Sequence, residues 1–285
     1  MAVPVSLPRL TRAHAPLTRE IEAVDEHGRT QRISIPAERD LTVYVDRREL
    51  VTLMTLGAHP EWLVLGYLRN QRLVRSVDEV ESVTVDWEVS SAAVKTRAGI
   101  DRIEERTARR VVTTGCGQGS VFGALMDEVH SLQLPQAVLS QQALYGVLDA
   151  IRRQESTYKS AGSVHGCALF RGSELLLFVE DVGRHNAIDT IAGWMWMQPA
   201  PIEAGEEPLV FYTTGRLTSE MVIKSAQMGV AIVVSRSGMT EMGHAIAQQL
   251  GLCTIGRALN KRFLCYTGAQ RVRWQPELAG PAPAA

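Results

Sequence analysis

The feature that most constrains the fold is the alternation of apolar runs and helical patterns in the second half of this 285-residue chain. Short runs typical of buried strands alternate there with segments whose apolar residues recur at helical spacing. The apolar runs are ELLLFV (174–179), PLVFYT (208–213), VAIVVS (230–235) and LCTIG (252–256). Helices are predicted at about 186–194, at about 220–228 after a cap at Thr218 or Ser219, and between Thr240 and Gly251. This order predicts an α/β fold with a mostly parallel sheet covered by helices on both faces.

The first hundred residues are strand-rich by contrast. Leu41–Asp46 and Glu49–Thr55 flank a short polar turn and predict a hairpin. Pro60 then opens a helical pattern that continues to about Asn70. Four regions are predicted from these patterns: a loosely ordered segment at 1–30, a strand-rich subdomain at 31–108, an α/β domain at 109–270 and a disordered tail at 271–285.

The composition excludes several classes of protein. The net charge is -1, so no overall field attracts nucleic acid or a membrane surface. The N-terminus lacks the apolar core of a signal peptide, and no window is apolar enough for a membrane span, so a cytoplasmic location is expected. The four cysteines form no C-x-x-C pair and fit no common zinc framework, so no tightly held metal is expected.

Glycine, arginine and small hydroxyl residues follow four of the predicted strands. They lie in the segments 180–185, 214–216, 235–238 and 256–257. Ligands of a parallel sheet bind beyond the carboxyl ends of its strands. We therefore predict an anion pocket for a phosphate or pyrophosphate, and the alternative is that these are ordinary polar loops. The candidate ligand contacts are Gly183, Arg184, Gly215, Arg216, Arg236 and Arg257.

Cys116 lies in a glycine-rich loop between a predicted strand and a helix that begins near Ser120. Gly115, Gly117 and Gly119 surround it and leave the thiol sterically open. A nearby helix N-terminus favours the thiolate, which is the form that attacks and carries sulfur. The alternative is a small residue in a turn that happens to be cysteine. The loop is not a dinucleotide-binding fingerprint, because its spacing is G-x-G-x-G and no acidic residue follows at the expected distance.

Two histidines and the other cysteines complete the candidates. His165 and His185 lie in glycine-rich polar settings beside apolar strands and are candidates for proton transfer. Cys167, Cys253 and Cys265 lie within apolar runs, and we predict buried, inert thiols at these positions.

Several long motifs together resemble those of the formate dehydrogenase accessory sulfurtransferases, the FdhD family. The resemblance rests on EDVGRHNAID (180–189), TTGRLTSEMVIKSA (213–226), SAGSVHGCAL (160–169), the loop at 115–117 and the terminal segment IGRALNKRFLCYT (255–267). Their order and spacing agree with the family from about Leu41 to Thr267.

The resemblance implies a fold like that of the cytidine deaminases and a homodimer. It also implies that Cys116 bears a persulfide loaded by a cysteine desulfurase. The sulfur would pass to a molybdenum bis(molybdopterin guanine dinucleotide) cofactor, a bound client ligand, which makes the catalytic subunit of formate dehydrogenase competent. The residues that would contact this cofactor are Arg257, Ala258, Leu259, Asn260, Lys261 and Arg262.

The chain departs from the family in the Cys116 loop and directly after the motif at 180–189. Many members have C-x-x-C where this chain has Gly119 at the second position, so a second thiol for sulfur release is absent. Thr190 stands where the family usually has lysine, and the zinc signature of the deaminases is missing. Two alternatives stay open: a chaperone that inserts the cofactor without sulfur transfer, and a nucleotide-binding enzyme that uses Glu180, Asp181 or His185.

Overall fold

The computed structural model of the protein describes residues 6–100, 131–200, 202 and 207–279. These residues form two compact units. The first contains 6–100, 155–166 and 179–200, and the second contains 131–154, 167–178, 202 and 207–279. Each unit is assembled from separate stretches of the chain, whereas the sequence predicted consecutive ranges. The predicted boundary at 108 lies outside the described residues.

The elements are numbered here in chain order over the described residues. The earlier ones are β1 (Arg9–Leu10), β2 (Thr18–Val24), β3 (Thr30–Pro36), β4 (Arg39–Val45), β5 (Arg48–Thr55), α1 (Pro60–Asn70), β6 (Val80–Asp86), β7 (Ser91–Thr96), β8 (Leu139–Ser140), α2 (Gln141–Arg153) and α3 (Thr157–Ala161). The later ones are β9 (His165–Arg171), β10 (Glu174–Asp181), α4 (Arg184–Trp196), β11 (Leu209–Thr213), α5 (Ser219–Gln227), β12 (Ile232–Ser235), α6 (Glu241–Leu250), β13 (Cys253–Leu259), β14 (Arg262–Thr267) and β15 (Val272–Arg273). No helix among the described residues combines the length and apolar character that crossing a membrane requires.

The first unit contains a five-stranded sheet in the order β1-β6-β7-β4-β5 and a separate β2-β3 hairpin. The predicted β4-β5 hairpin is confirmed, with Val45 opposite Arg48 across a two-residue turn. Asp46 and Arg47 have φ angles of 46° and 71°, the positive values that a type I′ turn requires at both central positions. Strands β1 and β2 lie within the segment 1–30 that the sequence predicted to be loosely ordered.

Helix α1 packs against α4 at very short range within the first unit. The prediction of a helix from Pro60 to Asn70 is confirmed, and Leu63 and Tyr67 on its apolar face are buried. The helices approach where Gly66 faces Gly193. A Cβ atom on Gly66 would lie 1.6 Å from the carbonyl oxygen of Asp189, so no side chain fits there.

The second unit is built on a sheet in the order β10-β9-β11-β12-β13-β14, whose strand ends at 165–166 and 179–181 belong to the first unit. Strands β11, β12 and β13 are parallel, but β9 and β14 pair antiparallel with β11 and β13. The sheet is therefore mixed, and the prediction of a mostly parallel sheet holds only for its centre. The sequence could not distinguish parallel from antiparallel pairing, because buried strands of either direction are apolar.

Helices α5 and α6 follow β11 and β12 as predicted. Thr240 caps α6 by accepting a hydrogen bond from the Gly243 amide at 3.2 Å, and Gly251 ends it in the left-handed conformation. The buried residues of α6 are Gly243, Ile246 and Ala247. Met242, which the sequence placed on the apolar face, is 54% exposed, so the buried face is rotated from the predicted one.

Candidate functional site

The loops that follow β11 and β12 are joined by hydrogen bonds to each other and to the last part of β13. The Ser235 hydroxyl donates to the Gly215 carbonyl oxygen at 2.7 Å and accepts from the Ser237 amide at 2.9 Å. The Arg257 amide donates to the carbonyl oxygen of Ser237 at 2.8 Å. The three predicted strand ends of the second unit therefore form one continuous surface, as expected for parallel strands.

Each of these three segments presents one arginine. Arg216, Arg236 and Arg257 are all exposed, and none forms an ion pair within the described part of the chain. Arg236 lies near the buried Tyr212. Burial raises the pKa of Tyr212 to about 12, although the positive charge of Arg236 acts to lower it. Three uncompensated guanidinium groups at one edge of a sheet suit the oxygens of a phosphate or pyrophosphate. Gly215 is buried and contributes backbone to this surface.

The segment 257–262 forms the end of β13 and the turn into β14. Arg257 has a φ of 49° within an irregular stretch of the β13-β14 pairing, and Asn260 in the turn has a φ of 55°. The predicted cofactor contacts of this segment comprise one buried residue and five exposed ones. Ala258 is buried at 1% exposure, whereas Arg257, Leu259, Asn260, Lys261 and Arg262 are exposed.

Lys261 is held by its surroundings in the second unit. Its Nζ donates to the carbonyl oxygen of Leu278 at 3.2 Å and lies 5.8 Å from the centre of the Tyr145 ring. These contacts fix the ammonium group, so Lys261 is a less available anion ligand than the three arginines.

In the first unit, Asp181 of the EDVGRH motif is a buried hydrogen-bond acceptor. One carboxylate oxygen accepts from the Thr55 hydroxyl at 2.5 Å and the Leu56 amide at 3.2 Å. The other accepts from the Gly183 amide at 3.2 Å and the Asn186 side chain at 2.8 Å. Burial raises the pKa of Asp181, and the four hydrogen bonds oppose that rise. The carboxylate thus ties the end of β5 to the start of α4.

Glu180 has a structural role of the same kind. Its carboxylate accepts the backbone N–H groups of Thr157 at 2.5 Å and Tyr158 at 3.1 Å. These are the first residues of α3, where unpaired amides and the helix dipole favour a negative charge. Glu180 therefore accepts from backbone donors, and Asp181 accepts from both backbone and side-chain donors.

The remaining candidates of the first unit are largely buried. Gly183 is the N-cap of α4, and Arg184 and His185, which follow it, are 5% and 2% exposed. His165 is half-buried at the start of β9. Burial of Arg184 and His185 places both in the interior of the first unit rather than on its surface.

Sequence reasoning missed a buried ion pair on α5. Lys224 is fully buried, and its Nζ lies 3.5 Å from Oε1 of Glu220, one helical turn earlier. The spacing of glutamate four residues before lysine is visible in the sequence, but it is equally typical of exposed helix pairs. The sequence does not indicate that the side chains of Glu220 and Lys224 are both buried.

The predicted sulfur-carrying loop lies outside the described residues. This holds for Cys116 and for Gly115, Gly117 and Gly119. The role of Cys116 therefore stays a prediction from sequence. The three cysteines within the described residues are free thiols, and Cys167 and Cys253 are buried as predicted. Cys265 is only half-buried, which differs from the prediction.

Comparisons with known proteins agree over most of the chain. The sequence model of the FdhD/NarQ family matches residues 36–273. A protein of Bacillus pumilus named "Sulfur carrier protein FdhD" is 30% identical over 82% of this chain and 88% of its own length. A protein of the same name from Bacillus subtilis is 30% identical over 83% of this chain and 89% of its own. The crystal structure of a putative formate dehydrogenase accessory protein from Desulfotalea psychrophila superposes with a TM-score of 0.71 at 21% identity, covering 90% of this chain and all of that one, and so shows a shared fold.

Proposed function

This chain belongs to the FdhD/NarQ family, and on that premise we propose that it is a sulfur carrier protein required for formate dehydrogenase activity. The observation that carries the proposal is the match over 36–273, which spans Cys116 and all the motifs described above. The relatives that match over most of this chain are named sulfur carriers. Its partners would be a cysteine desulfurase and the catalytic subunit of a formate dehydrogenase, and it would act in the cytoplasm as a homodimer.

Sulfur loading is a thiol exchange at Cys116. The Cys116 thiolate attacks the terminal sulfur of the desulfurase persulfide, the S–S bond of that persulfide breaks, and the desulfurase thiolate leaves. One thiol is sufficient for this step. Because Gly119 stands where many family members have a second cysteine, this loop offers no second thiol for the release step.

Client binding is the part of the proposal that the described residues support. The client is the molybdenum bis(molybdopterin guanine dinucleotide) cofactor, which carries pyrophosphate groups. Arg216, Arg236 and Arg257 offer charge-assisted hydrogen bonds to such oxygens from two loops and the end of β13, which are joined by hydrogen bonds. The fit of this surface to pyrophosphate favours guanine nucleotide docking at the carboxyl ends of β11, β12 and β13.

A second candidate is a chaperone that binds the same cofactor and inserts it without transferring sulfur. The single loop cysteine favours it, because the release step then needs no second thiol in this chain. The enzyme alternative is weakened by the structure. Glu180 and Asp181 accept hydrogen bonds from the protein itself, which leaves neither carboxylate poised as a general base for a bound nucleotide. The third candidate base, His185, is only 2% exposed.

An intact-mass experiment tests the proposal. The purified protein is incubated with a cysteine desulfurase and cysteine, beside the Cys116→Ala variant and a Cys265→Ser control that removes the half-buried thiol. We expect one added sulfur atom in the wild type and in the control, and none in Cys116→Ala. No added sulfur in the wild type, with guanine nucleotide still bound, would favour the chaperone; sulfur retained by Cys116→Ala would place the carrier elsewhere.

A further inference from the structure

The turn that joins β13 to β14 follows an irregular part of its own hairpin. The strand pairing shifts register between Gly256 and Leu259. A shift of this kind leaves a residue unpaired and disrupts the ladder locally. Arg257 lies within this stretch and has a φ of 49°, in the left-handed region. The conformation of the segment 257–262 therefore depends on contacts that the ladder does not supply.

Tyr145 of α2 supplies two of these contacts to Lys261 in the turn. Its hydroxyl donates to the carbonyl oxygen of Lys261 at 3.3 Å. Its ring centre lies 5.8 Å from the Lys261 Nζ, within the range of a cation–π interaction. The same ring meets Phe263 edge to face, with ring centres 6.2 Å apart. Tyr145 thus contacts both the backbone of the turn and the strand that follows it.

The hydroxyl of Tyr145 is oriented by a chain of hydrogen bonds. The backbone N–H of Gln275 donates to Oε1 of Gln141 at 2.9 Å, which leaves the amide nitrogen of Gln141 to donate elsewhere. That nitrogen donates to the Tyr145 hydroxyl at 2.8 Å. A hydroxyl that accepts this bond keeps its single proton for another acceptor, and the Lys261 carbonyl oxygen takes it. Because Gln141 is only 4% exposed, its amide depends on these protein partners rather than on water.

The residues after β15 restrain the same turn. The ring of Trp274 stacks on Phe263 with ring centres 6.0 Å apart. The carbonyl oxygen of Leu278 accepts a hydrogen bond from the Lys261 ammonium group at 3.2 Å. Both α2 and the segment 274–278 therefore hold the turn, and they do so through side chains that lie outside the hairpin.

We propose that Tyr145 is a positioning residue for client binding, which holds the segment 257–262 in the conformation that presents Arg257. The inference rests on the proposed function, because it takes the guanine nucleotide part of the cofactor as the ligand of this segment. Tyr145 acts through the turn and not by contact with the ligand. A protein whose binding-competent conformation is only partly populated binds more weakly by that fraction. A loosened turn therefore weakens binding although every charge of the surface remains.

Calorimetric titration of GDP and of inorganic pyrophosphate into the full chain tests this role in Tyr145→Phe. The substitution removes one hydroxyl and keeps the ring beside Lys261 and Phe263. Loss of the hydrogen bond should raise the Kd about three- to tenfold. Because no charge is lost, the dependence of the Kd on salt should stay that of the wild type, whereas Arg236→Gln should flatten it. The salt dependence therefore separates a positioning role from a charge contact.

Limited trypsin digestion measures the turn without ligand, because the segment 257–262 contains three trypsin sites. Tyr145→Phe should be cut within this segment several times faster than the wild type, and saturating GDP should slow the cutting. Trp274→Ala, which removes the 47% exposed ring stacked on Phe263, should act in the same direction. Tyr158→Phe, at a 52% exposed tyrosine of α3, is the matched control and should change neither the Kd nor the cutting.

The outcomes distinguish the positioning role from the proposed function. If the wild type binds either probe and Tyr145→Phe binds it equally tightly, the positioning role is wrong and the proposed function stands. A wild type that binds neither probe would overturn both. Weaker binding by Tyr145→Phe without faster cutting in 257–262, or with an equal acceleration at sites elsewhere in the chain, would also overturn the positioning role, because the turn would not be the part that is loosened.

Discussion

The crossing of α1 and α4 allows the cost of a single methyl group to be predicted. In Gly66→Ala, the new Cβ would lie 1.6 Å from the carbonyl oxygen of Asp189 and 2.8 Å from the amide nitrogen of Gly193. Both atoms are backbone, so neither can rotate away. Because non-bonded carbon contacts are optimal at about 3.5 Å, α1 must move away from α4 by roughly 1.5–2 Å.

The magnitude follows from two opposing effects. Overpacking a well-filled interior costs about 1–3 kcal/mol, and a clash between two backbones belongs at the upper end of that range. Alanine favours the helix over glycine by about 1 kcal/mol, which offsets part of the loss. We expect a net loss of about 2 kcal/mol in the free energy of unfolding. For a chain of this size, that loss lowers the Tm by roughly 4–8 °C.

Thermal and urea unfolding of matched variants measure this loss. Gly238→Ala is the control, because its Cβ would meet no atom within 4 Å and its φ is not positive. Gly193→Ala, whose Cβ would lie 1.9 Å from the Trp62 carbonyl oxygen, should behave like Gly66→Ala. The double variant should lose less than the sum, since one separation of the helices relieves both clashes. A Tm for Gly66→Ala equal to that of the control would refute the close approach of α1 and α4.

Three further predictions concern single side chains. Asp181→Asn should destabilise the protein by about 1–3 kcal/mol, since an amide cannot accept all four hydrogen bonds. Burial raises the pKa of Asp181, so its contribution to stability is full below pH 3.8 and is lost as the pH rises through the folded-state value. Urea unfolding at a series of pH values should therefore show the advantage of the wild type over this variant shrinking as the pH rises above 3.8. Arg236→Gln should weaken guanine nucleotide binding about tenfold or more and flatten its salt dependence in calorimetric titrations, whereas Arg273→Gln, an exposed arginine on β15, should change neither. Arg257→Gly should weaken the same binding while changing the unfolding free energy by less than about 1 kcal/mol, and a large loss of stability would contradict the role given to its side chain.

Local signals predicted the elements but not their pairing. The polar turn at Asp46 and Arg47, Pro60 at the start of α1 and Gly251 at the end of α6 each act through adjacent residues, and the structure confirms all three elements. The antiparallel direction of β9 and β14 depends on which strand each one pairs with. The apolar residues of a buried strand do not indicate that partner.

The polar strand ends were predicted as one group, and the structure gives them two kinds of role. Arg216 and Arg236 are exposed, as the anion-site prediction requires. Glu180 and Asp181 carry the same sequence signal but are held by donors from Thr157 and Thr55, which are distant in the sequence. A carboxylate that follows a strand therefore predicts a polar contact, and only the folded chain decides whether the partner is a ligand or the protein itself.

Arg257 shows how backbone energetics can separate these two roles. Its φ of 49° lies in the left-handed region, which costs a residue with a side chain about 1–2 kcal/mol and which glycine adopts freely. The conformation is fixed by the hydrogen bond from its amide to Ser237 and by the irregular pairing of β13 with β14. A position that favours glycine but holds an exposed arginine keeps a guanidinium group at an energetic cost, and strained residues of this kind cluster at ligand sites. Asn260 also has a positive φ, of 55°, but asparagine adopts this region more readily than arginine does. We therefore predict that Arg257 is the exposed residue of 257–262 whose side chain serves binding.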